Sequence, residues 1–104
     1  MKVLLIKPGQ EPENASIPDD LQAIQRFLGG PVEALQFPTD WAALLCNMNG
    51  PFQEDAQPNR IYKGKIIYGP FLVAGSSRCR YKSLTAEQRE RYCEMFKLGG
   101  AGTC

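Results

Sequence analysis

Short apolar runs separated by turn residues set the pattern of this chain. Residues 2–7 (KVLLIK) and 14–17 predict two extended strands that fold back on each other across a loop at residues 8–13. Residues 32–37 alternate apolar and polar positions, which predicts a third strand. Residues 41–46 (WAALLC) form a continuous apolar run, typical of a central strand buried on both faces, although periodicity alone leaves a short helix as the alternative.

Two segments carry a helical period instead. Leu21, Ile24, Phe27 and Leu28 recur every three or four residues and predict one apolar stripe. Asp19 is expected to cap this helix or to lie in its first turn, and Gly29-Gly30 to end it. Later, Thr85-Ala-Glu-Gln88 matches a capping box and predicts a helix over residues 86–97, for which the packing side chains are expected to be Tyr92, Cys93, Met95 and Phe96.

The segments between these elements complete the predicted fold. Residues 47–59 read as a long loop anchored by Phe52, residues 61–68 as a hairpin turning at Lys63-Gly64, and residues 71–74 as the last strand. The order of elements lacks regular βαβ alternation. We therefore predict an α+β domain: a small, mostly antiparallel sheet of about five strands, with two helices packed on one face. Residues 1–97 are expected to form this single domain, and residues 98–104 a flexible tail.

Charge narrows the classes of partner. The formal net charge of the 104 residues is only +1, whereas general nucleic-acid binders carry a clear excess of Lys and Arg. Up to Phe52 there are three basic and six acidic residues, and after it nine basic and five acidic. A charged ligand of the second half is therefore expected to be an anion.

The residue types present argue against catalysis and against metal binding. The chain has no histidine, so a Ser-His or Cys-His nucleophile is excluded, and its four cysteines form no C-x-x-C pair. The sequence therefore predicts no catalytic residue, no metal and no cofactor, with the cysteines as idle or packed thiols. The opening apolar run is too short for a secretion signal, and no run is long enough to span a bilayer, so we expect a cytoplasmic protein with no membrane contact.

The loop at residues 75–82 is the best candidate for a binding site. It offers hydroxyl groups, cations and an aromatic ring suited to an anionic nucleotide: Ser76, Ser77, Arg78, Arg80, Tyr81 and Lys82. A solvated loop that keeps the edge of the sheet soluble is the alternative. Asn59-Arg60 is the second candidate, although Asn59 there could simply hold a turn. Trp41 and Phe52 are candidate interface anchors, with a core position at the start of a strand as the alternative for Trp41.

Several stretches of the chain together resemble a family of small domains of unknown function. They are KVLLIKPGQEPE at the start, IPDDLQAIQRFLGGPVEA, the ALLCN strand, Pro-Asn-Arg at residues 58–60, GPFLVAG, and SLTAEQRERY at residues 83–92. Such domains are met mainly in phages, prophages and conjugative elements of anaerobic and Gram-positive bacteria. The resemblance covers nearly the whole chain and implies a habitat more than a chemistry.

From these observations we expect a non-enzymatic accessory protein of a phage or mobile element that acts by binding, against a host defence. One version sequesters a small anionic nucleotide, using Arg78, Arg80, Lys82 and Asn59-Arg60 around a pocket or the interface of a homodimer. The other inhibits a host protein through an edge strand or the loop at residues 47–59. An enzyme acting on nucleotides and a DNA-binding protein are less favoured.

Overall fold

A computed structural model describes residues 1–38, 40–77 and 80–97 of the chain. Its helices and strands alternate irregularly along the sequence. They are β1 (Lys2–Ile6), β2 (Glu13–Ser16), α1 (Leu21–Leu28), β3 (Val32–Gln36), β4 (Ala42–Asn47), β5 (Pro58–Tyr62), β6 (Lys65–Tyr68), β7 (Phe71–Ser76), β8 (Tyr81–Lys82) and α2 (Ala86–Met95). The α+β class and the mostly antiparallel sheet are confirmed.

The main sheet has the strand order β2-β1-β7-β4-β3, and β8 pairs with the far end of β7. All of its pairings are antiparallel. The three most apolar strands, β1, β7 and β4, lie in the middle, because only there are both faces covered. The polar strands β2 and β3 lie at the edges, and β5 and β6 form a separate hairpin that turns at Lys63-Gly64, as predicted.

Side chains alternate across this sheet and build two apolar layers. Leu4, Leu44 and Val73 share one face with Tyr92 and Phe96, which belong to α2 and to the residue that ends it. The opposite face is packed against Ile24 and Leu28 of α1 and is lined by Val3, Leu5, Ala43, Leu45, Leu72 and Ala74. The prediction that both helices pack on one face is therefore wrong. Central strands that are apolar at every position need cover on both sides.

The ends of the helices follow local chemistry. Asp20, one residue later than the predicted Asp19, accepts a hydrogen bond from the backbone N–H of Gln22 and caps α1. Gly29 ends that helix in the left-handed conformation, at φ +86°. The capping box of α2 forms in both directions between Thr85 and Gln88, as predicted.

Some predicted positions are corrected by the fold. Leu21 and Phe27 are exposed although they belong to the predicted apolar stripe, because an eight-residue helix buries only the side facing the sheet. The strand from Phe71 lies in the centre of the sheet and extends to Ser76, and β8 follows it, so the predicted loop at residues 75–82 is shorter. The predicted tail at residues 98–104 lies outside the described residues. No helix in the described part of the chain has the length and apolar character needed to cross a membrane.

Candidate functional site

The two serines of the first candidate site are used by the fold. Ser76 is buried at the end of β7, and its Oγ accepts a hydrogen bond of 2.9 Å from Nε2 of Gln36. The backbone N–H and the Oγ of Ser77 both donate to the carbonyl of Arg80, at 2.8 and 3.2 Å. These bonds close the turn between β7 and β8, so neither hydroxyl is directed at a ligand.

The charged and aromatic residues of the same turn do not converge. Arg80 forms a 2.5 Å ion pair with Asp19, which offsets its charge. Tyr81 packs against the apolar layer on the α1 side, and Lys82, as the next residue of the strand, points to the other face. Arg78 lies outside the described residues. The basic turn is therefore partly neutralised, and its ring is partly buried.

Asn59 and Arg60 join four segments of the fold. Nδ2 of Asn59 donates to the carbonyls of Ile6 and Gly69, at 2.9 and 2.8 Å. The guanidinium of Arg60 donates to Oδ1 of Asn59, to the carbonyl of Phe96 and to the carbonyl of Gln10, at 2.7, 2.9 and 2.6 Å. These polar atoms hold the hairpin against the strands and the end of α2.

The two candidate anion sites lie at opposite ends of β7. Asn59 contacts the chain just before Phe71, whereas Arg80 and Lys82 flank the other end at Ser76. A strand of six residues spans about 20 Å, so one small nucleotide cannot contact both sites within one chain.

A network centred on Asp40 was not predicted from the sequence. Its carboxylate accepts hydrogen bonds from the backbone N–H of Trp41 at 2.8 Å and from Nε2 of Gln88 at 2.9 Å. It also forms an ion pair with Arg91 at 2.6 Å and accepts a hydrogen bond from the hydroxyl of Tyr92. The network joins the connection between β3 and β4 to α2. Its only sequence signal was a carboxylate before an aromatic residue, which is also typical of an ordinary turn.

The electrostatics of this network indicate a structural role. Burial raises the pKa of the Asp40 carboxyl, but the hydrogen bonds from Tyr92, Gln88 and Trp41 and the charge of Arg91 outweigh it, so the pKa lies below its ordinary value. Burial and the neighbouring Asp40 raise the pKa of Tyr92 to about 12. The carboxylate is thus ionised and fully hydrogen-bonded at neutral pH, and it has no remaining capacity to act as a general base.

A patch of exposed apolar side chains lies around the loop at residues 47–59 and the β5–β6 hairpin. Met48, Phe52, Ile61 and Ile66 are 52, 84, 70 and 42% exposed. Met48, Phe52 and Ile66 line one shallow cleft of about 230 Å³, and Ile61 lies directly opposite Ile66 in the hairpin. Opposite residues on one face of a hairpin have Cβ atoms about 5 Å apart, so the four side chains form one surface. We call it the hairpin surface.

One wall of the cleft beside the hairpin surface is polar but unreactive. Lys65 forms a 2.7 Å ion pair with Glu33, whose carboxylate lies 3.8 Å from Sγ of Cys46. Burial, with a contribution from Glu33, raises the pKa of the Cys46 thiol to about 11. The thiol therefore stays protonated at neutral pH, and it is not an activated nucleophile.

The predicted interface residues are both at the surface. Phe52 belongs to the hairpin surface and is largely exposed, so the prediction that it anchors the loop at residues 47–59 is wrong. Trp41 is 59% exposed beside Asp40, so its alternative placement in the core is wrong as well. Within residues 1–38, 40–77 and 80–97, no three Cys, Asp or Glu side chains are grouped as metal ligands would be.

Comparison with known proteins identifies the family. The model of a domain of unknown function, DUF3846, matches residues 1–97, and the chain belongs to this family. No curated protein and no solved structure matches the chain. The predicted membership of a family of small domains of unknown function is confirmed.

Proposed function

We propose that this protein is a non-enzymatic binding protein that engages a partner protein through the hairpin surface. The observation that carries the proposal is the contiguous exposure of Met48, Phe52, Ile61 and Ile66. Contiguous apolar patches of this kind on a small domain mark interaction sites, whereas isolated apolar residues are ordinary.

The shape of the hairpin surface favours a protein over a small ligand. Small-molecule sites are concave, about 300–1,000 Å³ in volume, and enclose most of the ligand. The cleft here has about 230 Å³, and Phe52 stands out of the surface with most of its ring exposed. A protruding aromatic side chain is suited to insertion into a pocket on a partner.

Burial of the hairpin surface would supply part of the free energy of specific binding. Burying a fully exposed Ile, Met or Phe side chain is worth about 1.5–3 kcal/mol. The exposed fractions of the four side chains together equal between two and three such residues, which gives about 4–7 kcal/mol before the costs of association. Polar contacts at the rim would have to supply the remainder of a micromolar affinity.

The partner we propose is a host protein of a bacterial cell, inhibited on behalf of a phage or mobile element. This part of the proposal rests on the habitat that the sequence resemblance implies. The alternative function, sequestration of an anionic nucleotide by Arg78, Arg80 and Lys82, has weaker support, because Arg80 is paired with Asp19 and the serine hydroxyls are hydrogen-bonded within the turn.

The test compares two variants with matched exposure. The double variant Phe52→Ser, Ile61→Ser removes half of the hairpin surface, and Trp41→Ser removes an exposed aromatic side chain elsewhere. Because all three residues are exposed, each variant is expected to stay folded, with changes in stability of about 0.5 kcal/mol or less per site. Immobilised wild type and variants are incubated with host lysate, and the retained proteins are quantified by mass spectrometry. One enriched protein is then purified, and its affinity for the wild type and for each variant is measured by direct titration.

We expect a host protein that binds the wild type and Trp41→Ser but loses at least about tenfold in affinity for the double variant. Equal binding to all three proteins, or loss only with Trp41→Ser, would overturn the proposal. In parallel, a nucleotide panel is tested by thermal shift at two salt concentrations, since a ligand of the folded state raises the melting temperature. A salt-sensitive shift that Arg80→Ala abolishes would favour the sequestration alternative instead.

A further inference from the structure

The edge strand β3 presents an open row of backbone groups. Three backbone groups in and beside β3 face β4. The carbonyl of Pro31 accepts a hydrogen bond from the N–H of Met48, and the carbonyl of Glu33 accepts one from the thiol of Cys46. The N–H of Phe37 donates to the carbonyl of Ala42. In an antiparallel pair, residues alternate between facing the neighbouring strand and facing away from it. Val32, Ala34 and Gln36 therefore direct their N–H and C=O groups outward, where the sheet has no further strand among the described residues.

The side chains that normally block such an edge are withdrawn from it. Glu33 is held over one face of the sheet by its ion pair with Lys65. Nε2 of Gln36 donates to the carbonyl of Ala42 and to Oγ of Ser76, at 2.8 and 2.9 Å, which draws this side chain back over the other face. The middle of the edge is the exposed Ala34. Free edges of monomeric proteins are usually protected by Lys, Pro or a bulge, and the five residues of β3 include none of these, although Pro31 and Pro38 flank the strand.

The opposite edge of the sheet is shorter. Both edge strands are flanked by prolines, Pro31 and Pro38 for β3 and Pro12 and Pro18 for β2, which cannot extend a ladder. Strand β2 has four residues against five in β3, and its Glu13 forms an ion pair with Lys7. The edge of β3 is therefore the longer row of backbone groups available for pairing.

We propose that β3 pairs with β3 of a second copy of this chain, antiparallel and centred on Ala34. This register places Ala34 opposite Ala34 of the partner, and Val32 opposite Gln36. All three outward-facing residues then fall in hydrogen-bonded pairs, which gives about six intermolecular hydrogen bonds. Glu33 lies opposite the partner's Leu35, so no like charges face each other.

A second copy fits this edge better than a segment of another protein. Antiparallel pairing about a two-fold axis consumes both open edges at once and joins the two sheets into one. In the joined main sheet, the edges left among the described residues are the short, polar β2 strands and the two-residue β8 strands. The two-fold axis also places corresponding faces of the two sheets on the same side. The partner's Leu35 therefore lies on the face that carries Glu33 and the neighbouring cleft.

Charge reversal at Ala34 tests the pairing and the register together. Ala34→Lys and Ala34→Glu each place two like charges opposite one another across the axis, whereas a mixture of the two variants places opposite charges there. Because Ala34 is exposed and directs its backbone away from β4, both variants are expected to fold, as checked by circular dichroism and melting temperature. Ala34→Ser is the matched control.

Sedimentation velocity and native mass spectrometry are carried out at up to about 100 μM protein, the range in which weak dimers are populated. We expect a dimer for the wild type and Ala34→Ser, monomers for each charged variant alone, and a Lys/Glu heterodimer on mixing. A monomeric wild type, a dimeric Ala34→Lys, or no heterodimer would each overturn the proposal. The double variant of the hairpin surface is expected to stay dimeric, and Ala34→Lys to keep its partner protein, so the two proposals can fail separately.

Discussion

Replacing Asp40 by Ala is expected to destabilise the fold more than its position in a surface connection suggests. The carboxylate accepts hydrogen bonds from Trp41, Gln88, Arg91 and Tyr92, and three of these donors belong to α2 or its capping box. The substitution leaves all four donors in place without their shared acceptor.

The loss of folding stability in Asp40→Ala can be worked out for each donor in turn. The hydroxyl of the buried Tyr92 loses a charged acceptor, at a cost of about 1–3 kcal/mol. Gln88 keeps the carbonyl of Trp41 at 3.2 Å, so its loss is nearer to 0.5 kcal/mol. The half-exposed Arg91 loses an ion pair worth about 0–1 kcal/mol. The N–H of Trp41 is exposed and can bond to water instead, so it adds little. The sum is about 3 kcal/mol, which for a domain of this size lowers the melting temperature by about 12–24 °C.

Urea unfolding followed by circular dichroism at pH 7 measures this loss. Asp19→Ala is the matched control, because it removes a carboxylate whose ion pair within the described part of the chain, with Arg80, is exposed, and it should cost no more than about 1 kcal/mol. If Asp40→Ala proves no more destabilising than Asp19→Ala, the network does not hold α2 and the reasoning fails.

The same network should make the stability of the fold depend on pH in the acidic range. The pKa of Asp40 is lowered in the folded state, so its ionised form stabilises the fold above the unfolded pKa, and this contribution is lost as the pH falls through the folded pKa. The wild type should therefore lose more stability than Asp40→Asn on acidification below about pH 4. Parallel curves for the two proteins would contradict this sign.

Three further perturbations test the hydroxyl of Tyr92 in this network and two contacts elsewhere in the fold. The pKa of Tyr92 is raised to about 12, so its neutral form stabilises the fold fully below pH 10. In urea titrations between pH 10 and 12, the wild type should lose about 2–3 kcal/mol more of its free energy of unfolding than Tyr92→Phe. Asn59→Ala should cost about 2 kcal/mol, because the carbonyls it joins lose their donor, whereas Asn14→Ala on an exposed strand should be nearly neutral by the same measurement. Gly30→Ala would place a methyl group 2.7 Å from Oδ1 of the buried Asn47, and it should lower the free energy of unfolding by about 1–3 kcal/mol. A loss below about 0.5 kcal/mol would mean that the side chain of Asn47 moves freely.

Much of the fold was predictable because local rules dominate its elements. The apolar runs of β1 and β4 specified buried strands, Gly29 ended a helix, and Lys63-Gly64 turned a hairpin. The placement of the helices was missed although a signal existed. A strand apolar at every position, as residues 41–46 were recognised to be, requires cover on both faces, and the only long elements able to supply it were the helices and the hairpin.

The candidate site was less predictable, because the chemistry of a residue does not reveal whether the fold uses it. Arg60 and Ser76 have the groups that bind anions, and both are engaged by backbone carbonyls or by Gln36. The two distant carbonyls that hold Arg60 are 36 and 50 residues away in sequence, and the partner of Ser76 is 40 residues away, beyond the reach of any local pattern. Exposure of Ile61 and Ile66 also depended on which face of the hairpin met the sheet, which alternation alone does not decide.

The surfaces best suited to binding are therefore those where the fold leaves apolar side chains or backbone hydrogen-bonding groups exposed. Two of these surfaces adjoin each other. The hairpin surface borders a cleft whose wall includes Glu33 of β3, and the ion pair between Glu33 and Lys65 links that strand to the hairpin. A change at either charged residue would disturb both surfaces and could not tell partner binding from self-association. Phe52 and Ala34 each belong to one surface only, which is why substitutions at those two positions separate the two functions.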